Sequence, residues 1–225
     1  MASNNTVPVI LCFHGYGSSG AIYNAQSRRI QNSLRRKFRF VFLDGPYECP
    51  PGPGVAPCFE DSGPFYSWFS TGSKLENRAL MAANMATLDK TITKSMWGKG
   101  ISSQDVVGVM GFSQGTMVAT WLMMQAQAGN FQWSNLRFGA LFCGACAEDL
   151  VVPGSVISVP SIHIHGLDDV FLDRSRTLAE MYDPATSKIF EFDGDHRMPT
   201  AKSDNDMLAT MITRMAKREP KRALF

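Results

Sequence analysis

The chain has 225 residues, with 22 Lys and Arg against 20 Asp and Glu and a formal net charge of +2. That balance gives no chain-wide basic field for nucleic acid and no acidic tail, and a 44% apolar fraction is that of a folded soluble protein, not a disordered one. The length suits one domain over residues 1–225, with a core that needs neither disulfides nor metals.

Met1 to Thr6 is short and polar and runs straight into a strand-like segment, so a secretory signal is not expected. No apolar run reaches membrane-spanning length. The five scattered cysteines, Cys12, Cys49, Cys58, Cys143 and Cys146, read as reduced thiols of a cytoplasmic protein.

In chain order, Val7 to Phe13 is β-rich and ends in the glycine turn His14-Gly15-Tyr16-Gly17. The spacing of Ile22, Ile30 and Leu34 predicts a surface helix within Ile22 to Lys37, and Phe38 to Leu43 is a second strand. Asp44 to Ser73 holds six of the twelve prolines together with Tyr47, Phe59, Phe65, Tyr66, Trp68 and Phe69. So long an irregular segment inside a compact domain is functional or disordered, and the aromatics argue for order. Tyr66, Trp68 and Phe69 are therefore expected to bind substrate.

Met81, Met85, Leu88, Ile92 and Met96 mark a helix over Leu75 to Trp97. Strands are expected at Asp105 to Met110, Arg137 to Cys143, Ser161 to His165 and Lys188 to Phe192. Helices are expected at Thr116 to Gln127, Phe171 to Tyr182 and Ala201 to Lys217. Short apolar strands alternating with helices predict an α/β fold, a mostly parallel sheet with helices on both faces.

Gly111-Phe112-Ser113-Gln114-Gly115 follows the strand Val106 to Met110 and opens an apolar helix. That context fits a nucleophile elbow, in which small residues flank a serine held in a sharp strand-to-helix turn. Ser113 is then the nucleophile, and the backbone N–H of Gln114, at a helix N-terminus, faces a developing oxyanion. The glycine turn after the first strand offers a second donor, assigned to Tyr16.

His165-Gly166-Leu167-Asp168-Asp169 ends a strand and offers two candidate acids. Loop geometry favours Asp169, three residues after the glycine, with Asp168 a turn residue. Of the four histidines, only His196 lies in a loop after the last strand, C-terminal to the acid. The order Ser113, Asp169, His196 is that of the α/β-hydrolase fold. In this arrangement His196 is the general base and Asp169 fixes its tautomer. No metal or cofactor is required. Cys143-Gly144-Ala145-Cys146 has C-x-x-C spacing but no second ligand pair, and reads as a small-residue loop.

The chain resembles the fungal serine hydrolase family, which includes discrete thioesterases of fungal polyketide pathways. The likeness rests on Leu11 to Gly17, Phe42-Leu43-Asp44-Gly45-Pro46, Tyr66-Ser67-Trp68-Phe69, Gly111 to Gly115 and Asp195-His196-Arg197-Met198-Pro199. Three positions depart from the family pattern: Gly194-Asp195 stands for the usual Gly-Gly, Val170 for the proline after the acid, and Cys143-Gly144 for Ser-Gly. The resemblance implies an acyl chain released from an acyl carrier protein of a polyketide synthase. A carboxylesterase for small esters, a carbon–carbon bond hydrolase and a non-catalytic binding module are the alternatives.

Overall fold

The computed structural model describes residues 7–55, 58–70, 78–145 and 155–217. Six strands form one sheet: β1 (Val9–Phe13), β2 (Arg39–Leu43), β5 (Val106–Phe112), β6 (Phe138–Phe142), β7 (Ser161–Gly166) and β8 (Ser187–Phe192). Their spatial order is β2-β1-β5-β6-β7-β8, and every neighbouring pair is parallel. A separate antiparallel pair, β3 (Tyr47–Glu48) with β4 (Tyr66–Ser67), lies inside the proline-rich segment.

Side-chain alternation along the strands divides the core into two layers. Val9, Leu11 and Phe13 of β1 point to one face. There they meet Leu88 and Ile92 of α3 (Arg78–Gly98), Val118 and Leu122 of α4 (Gly115–Gln127) and Leu178 of α5 (Leu172–Glu180). Ile10 and Cys12 point to the other face. They join Tyr23 of α1 (Gly20–Gln26), Ile30 and Leu34 of α2 (Arg28–Leu34), and Leu208 and Ile212 of α6 (Lys202–Ala216). With helices on both faces of a parallel sheet, the topology is that of the α/β-hydrolase fold.

Two expectations need correction. The single helix over Ile22 to Lys37 is two helices, because Ser27 breaks it. Both its backbone N–H and its Oγ donate to the Tyr23 carbonyl, and its own backbone leaves helical values at φ −91° and ψ 8°. A serine that bonds back to the preceding turn competes with the helix ladder. Second, β5 runs on to Phe112, so the strand carries its register right up to Ser113. The segments 71–77 and 146–154, which include Cys146 and the start of the helix expected over Leu75 to Trp97, lie outside the described residues.

Three histidines are buried: His14, His163 and His165. His163 stacks edge-on against Tyr182 at 4.5 Å and shares a hydrogen bond of 3.1 Å with Ser161 Oγ. Burial pulls His14 down to about 4 and His163 to about 3, and it lowers His165 as well. The unfolded chain protonates all three near pH 6.5, so the unfolded state binds more protons on acidification. Stability is therefore full above pH 6.5 and falls toward pH 4, by about 1.4 kcal/mol per pH unit for each of His14 and His163, with His165 adding in the same direction. Urea unfolding at stepped pH should give this slope, and His163→Gln should flatten it.

Candidate active site

The candidate groups all leave the sheet at the C-terminal ends of its strands, where open α/β sheets bind ligands. Ser113 follows β5, the His14–Gly17 turn follows β1, Asp169 follows β7 and His196 follows β8. Ser113 sits at φ 49°, in left-handed backbone space. Only small flanking residues allow that turn. A Cβ on Gly115 would stand 2.1 Å from the Phe13 carbonyl oxygen, and one on Gly111 would stand 2.5 Å from the Gly115 oxygen. The turn's polar backbone is satisfied. Ser113 N–H donates to the Phe142 carbonyl at 3.0 Å, and the Thr116 N–H and hydroxyl both donate to the Ser113 carbonyl.

His196 Nδ1 lies 2.7 Å from Asp169 Oδ2. The other carboxylate oxygen accepts the Phe171 N–H at 2.7 Å. The Asp169 side chain is 1% exposed and that of His196 23% exposed, so the acid is held dry while the imidazole reaches solvent. The rings of Phe112 and Phe171 each lie 5.1 Å from the imidazole. Asp168 is exposed, and its N–H bonds the Gly194 carbonyl. Of the two candidate acids, Asp169 alone meets His196.

Cys143, after β6, packs behind this pair. Its Sγ donates to the Arg197 carbonyl at 3.4 Å. Cys143, Asp169 and His196 offer ligand atoms within 4.8 Å of one another. Burial, with the Asp169 charge beside it, pushes the thiol up to about 12. Nδ1 is committed to the carboxylate and Sγ to the Arg197 carbonyl, so the trio is a hydrogen-bonded cluster around Asp169.

Ser113 and His196 line one cavity of about 400 Å³. Its apolar wall is Pro53, Val55, Phe112, Phe171 and Met198, and Ser18, Gln26, Arg197 and Thr200 add polar atoms. Tyr16 also lines it. Among the described residues no acceptor engages the backbone N–H of Tyr16 or of Gln114.

Tyr66, Trp68 and Phe69 are not on this wall. Trp68 is fully buried, with its ring edge-on to Phe13 at 5.3 Å and its Nε1–H donating to the His14 carbonyl at 2.8 Å. Phe69 joins the same core layer. Tyr66 lies in β4 and exchanges backbone bonds with Gly17 and Ser18. The patch instead holds the elbow and the glycine turn together. Gln114 Oε1 accepts from Trp68 N–H at 3.0 Å and Ser67 Oγ at 3.2 Å.

His14 has a role that its place in the sequence does not announce. Gly45 N–H donates to its Nε2 at 3.0 Å. The proton therefore sits on Nδ1, which donates to the Gly15 carbonyl at 2.7 Å. Asp44 Oδ1 accepts the Gly20 N–H at 2.7 Å. The Asp-Gly-Pro step is thus a clamp on the glycine turn and the start of α1.

Strand topology and elbow define an α/β-hydrolase. The chain belongs to the family described as Serine hydrolase (FSH1), whose pattern matches residues 4–208, and it is a hydrolytic enzyme. It is similar to "Esterase FUS5" of Gibberella fujikuroi, 34% identical over 92% of this chain and 86% of that one. It is also similar to "Dihydromonacolin L-[lovastatin nonaketide synthase] thioesterase" of Aspergillus terreus, 30% identical over 87% of each. The carboxylesterase of Mesorhizobium loti shares the fold, with a TM-score of 0.64 at 14% identity over 93% of this chain and 90% of that one. Among the described residues no helix is long and apolar enough to cross a membrane.

Because Trp68 is a structural residue, Trp68→Phe should lower stability by about 1–3 kcal/mol, through the His14 carbonyl left unbonded. The KM for a small ester should stay within about two-fold, since no cavity wall changes. Thermal unfolding and steady-state kinetics on the same preparation check both.

Proposed function

We propose that the protein cleaves acyl thioesters through an acyl-Ser113 intermediate, releasing an acyl or polyketide chain from an acyl carrier protein. The observation that carries the mechanism is the 2.7 Å bond between Asp169 and His196 Nδ1, on a cavity whose wall also includes Ser113. With Nδ1 protonated and held, Nε2 is a free base. His196 takes the Ser113 proton as the hydroxyl attacks the acyl carbonyl. The oxyanion that forms is met by the N–H groups of Tyr16 and Gln114. On collapse, the acyl–sulfur bond breaks and the imidazolium returns its proton to the departing thiolate. Water, activated by the same imidazole, then attacks the acyl-serine and frees the acid.

The thioester and the carrier rest on three supports. One relative is named a thioesterase of a polyketide synthase. The cavity wall is mostly apolar, which suits an acyl chain. The volume of about 400 Å³ suits a chain larger than acetyl. A carboxylesterase for small esters uses the same groups, and the name of the other relative favours it.

Matched acyl chains on a carrier protein and as small oxygen esters separate the two. Fast release from the carrier is expected, and turnover of the small esters alone would move the function to an esterase. Ser113→Ala should cost about four orders of magnitude or more in kcat, and Asp169→Asn about 10⁴-fold through the wrong imidazole tautomer. A phosphonate probe should label Ser113 in the wild type and nothing in Ser113→Ala. Undiminished turnover by Ser113→Ala would sink the mechanism.

A further inference from the structure

The charge of this protein is nearly balanced overall but unevenly placed. From residue 1 to residue 43 there is no Asp or Glu, yet Arg28, Arg29, Arg35, Arg36, Lys37 and Arg39 fall within twelve residues. The rest of the chain is therefore net acidic. All six of these cations are exposed. The apolar residues of α2, Ile30 and Leu34, face the core, which leaves Arg28, Arg29, Arg35 and Arg36 outward.

This face reaches the cavity mouth. Gln26, two residues before α2, lines the cavity, as do Thr200 and Arg197. The Arg29 guanidinium donates to the Thr200 carbonyl, which fixes the start of α2 against the cavity rim. The acids near α2 come from α6. Asp206 is already matched by Lys202 and Ser33, and Asp204 Oδ1 accepts from the Ser203 hydroxyl at 3.4 Å. Lys37 bonds Thr213. Among the described residues Arg28, Arg29, Arg35 and Arg36 form no ion pair with a carboxylate. Solvation alone needs only polar residues here. Arg28 and Arg29 stand at the rim, and Arg35 and Arg36 follow about two turns further along the chain; such a row of guanidinium groups without carboxylate partners, leading away from the mouth, is a field for a polyanion.

We infer that this face of α2 docks an acidic carrier domain. The domain would lay a carboxylate-rich surface and the phosphodiester of its prosthetic arm along Arg28, Arg35 and Arg36, and the arm would enter past Arg197 toward Ser113. The inference rests on the thioester reading above. Charge of this kind sets encounter rate and orientation more than chemistry. The effect therefore falls on kcat/KM for the carrier substrate.

The test is the triple variant Arg28→Glu/Arg35→Glu/Arg36→Glu, none of which belongs to the catalytic machinery, with the matching Gln variant as a milder step. Three substrates carry one acyl chain: a carrier protein, coenzyme A, and a short thiol without phosphate. On the carrier, kcat/KM should fall about ten-fold or more at low salt, less for the Gln variant, and the difference should shrink as salt rises. On the short thiol it should not change, which also verifies folding. Equal turnover of the carrier substrate by wild type and variant would overturn the docking face while leaving the thioester reading intact. An equal fall on coenzyme A would overturn it too, since the patch would then be reading a small phosphate ligand. If the wild type releases nothing from the carrier yet cleaves the short thioester, the carrier reading fails, and the docking face with it.

Discussion

Ser113 stands at φ 49°, a backbone conformation that costs a residue with a side chain about 1–3 kcal/mol. The serine keeps it because the surroundings leave no alternative. Its N–H is tied to β6, its carbonyl takes two donors from Thr116, and the chain on both sides passes within contact of backbone. Thr116 Oγ1 extends the tie by accepting the Ala145 N–H at 3.0 Å. The hydroxyl of Ser113 is thereby pushed out of the sheet and into the cavity, where a flexible loop could not hold it.

The glycine-turn side of the cavity is built by lacing, not by regular structure. Gly17 and Gly52 approach so closely that a Cβ on Gly17 would meet the Gly52 nitrogen at 2.1 Å. Gly17 also bonds Tyr66 across to β4. His14 then joins the turn to Gly45, and Trp68 joins it to the core. The proline-rich segment is therefore two things at once. One stretch, around Trp68, is a strap under the glycine turn, and another, Pro53 to Val55, is cavity wall.

That division explains what the sequence could and could not tell. Strands such as Val9–Phe13 and Phe138–Phe142 are apolar at every position, and full burial on both faces is what such runs mean. The pairing of Asp169 with His196 follows from chain order plus strand ends, so it was legible too. The direction of an aromatic side chain was not. Tyr66, Trp68 and Phe69 look like a binding patch because pockets and cores use the same residue types. Trp68 turns inward against Phe13, with its Nε1–H on the His14 carbonyl, 54 residues away in the chain. The walls supplied by Phe112, Phe171 and Met198 were hidden for a related reason. Each lies within two residues of Ser113, Asp169 or His196, but only the crossing of loops after β5, β7 and β8 faces them into one space. The break at Ser27 depends on one side-chain bond that no hydrophobic period records.

The four histidines sort themselves by surroundings, and the sorting carries an argument about chemistry. His163 and His165 lie within β7, and His14 is saturated by backbone on both nitrogens. Burial holds all three neutral at ordinary pH, so none of them cycles a proton with solvent. His196 alone combines a buried carboxylate on one nitrogen with an exposed edge on the cavity. A group that takes a proton and gives it back needs both. The partner must stabilise the charged form when it appears, and the free nitrogen must face the reacting atoms. The same fold thus buries one residue type in three places and, in the fourth, gives it the surroundings that the base proposed above requires.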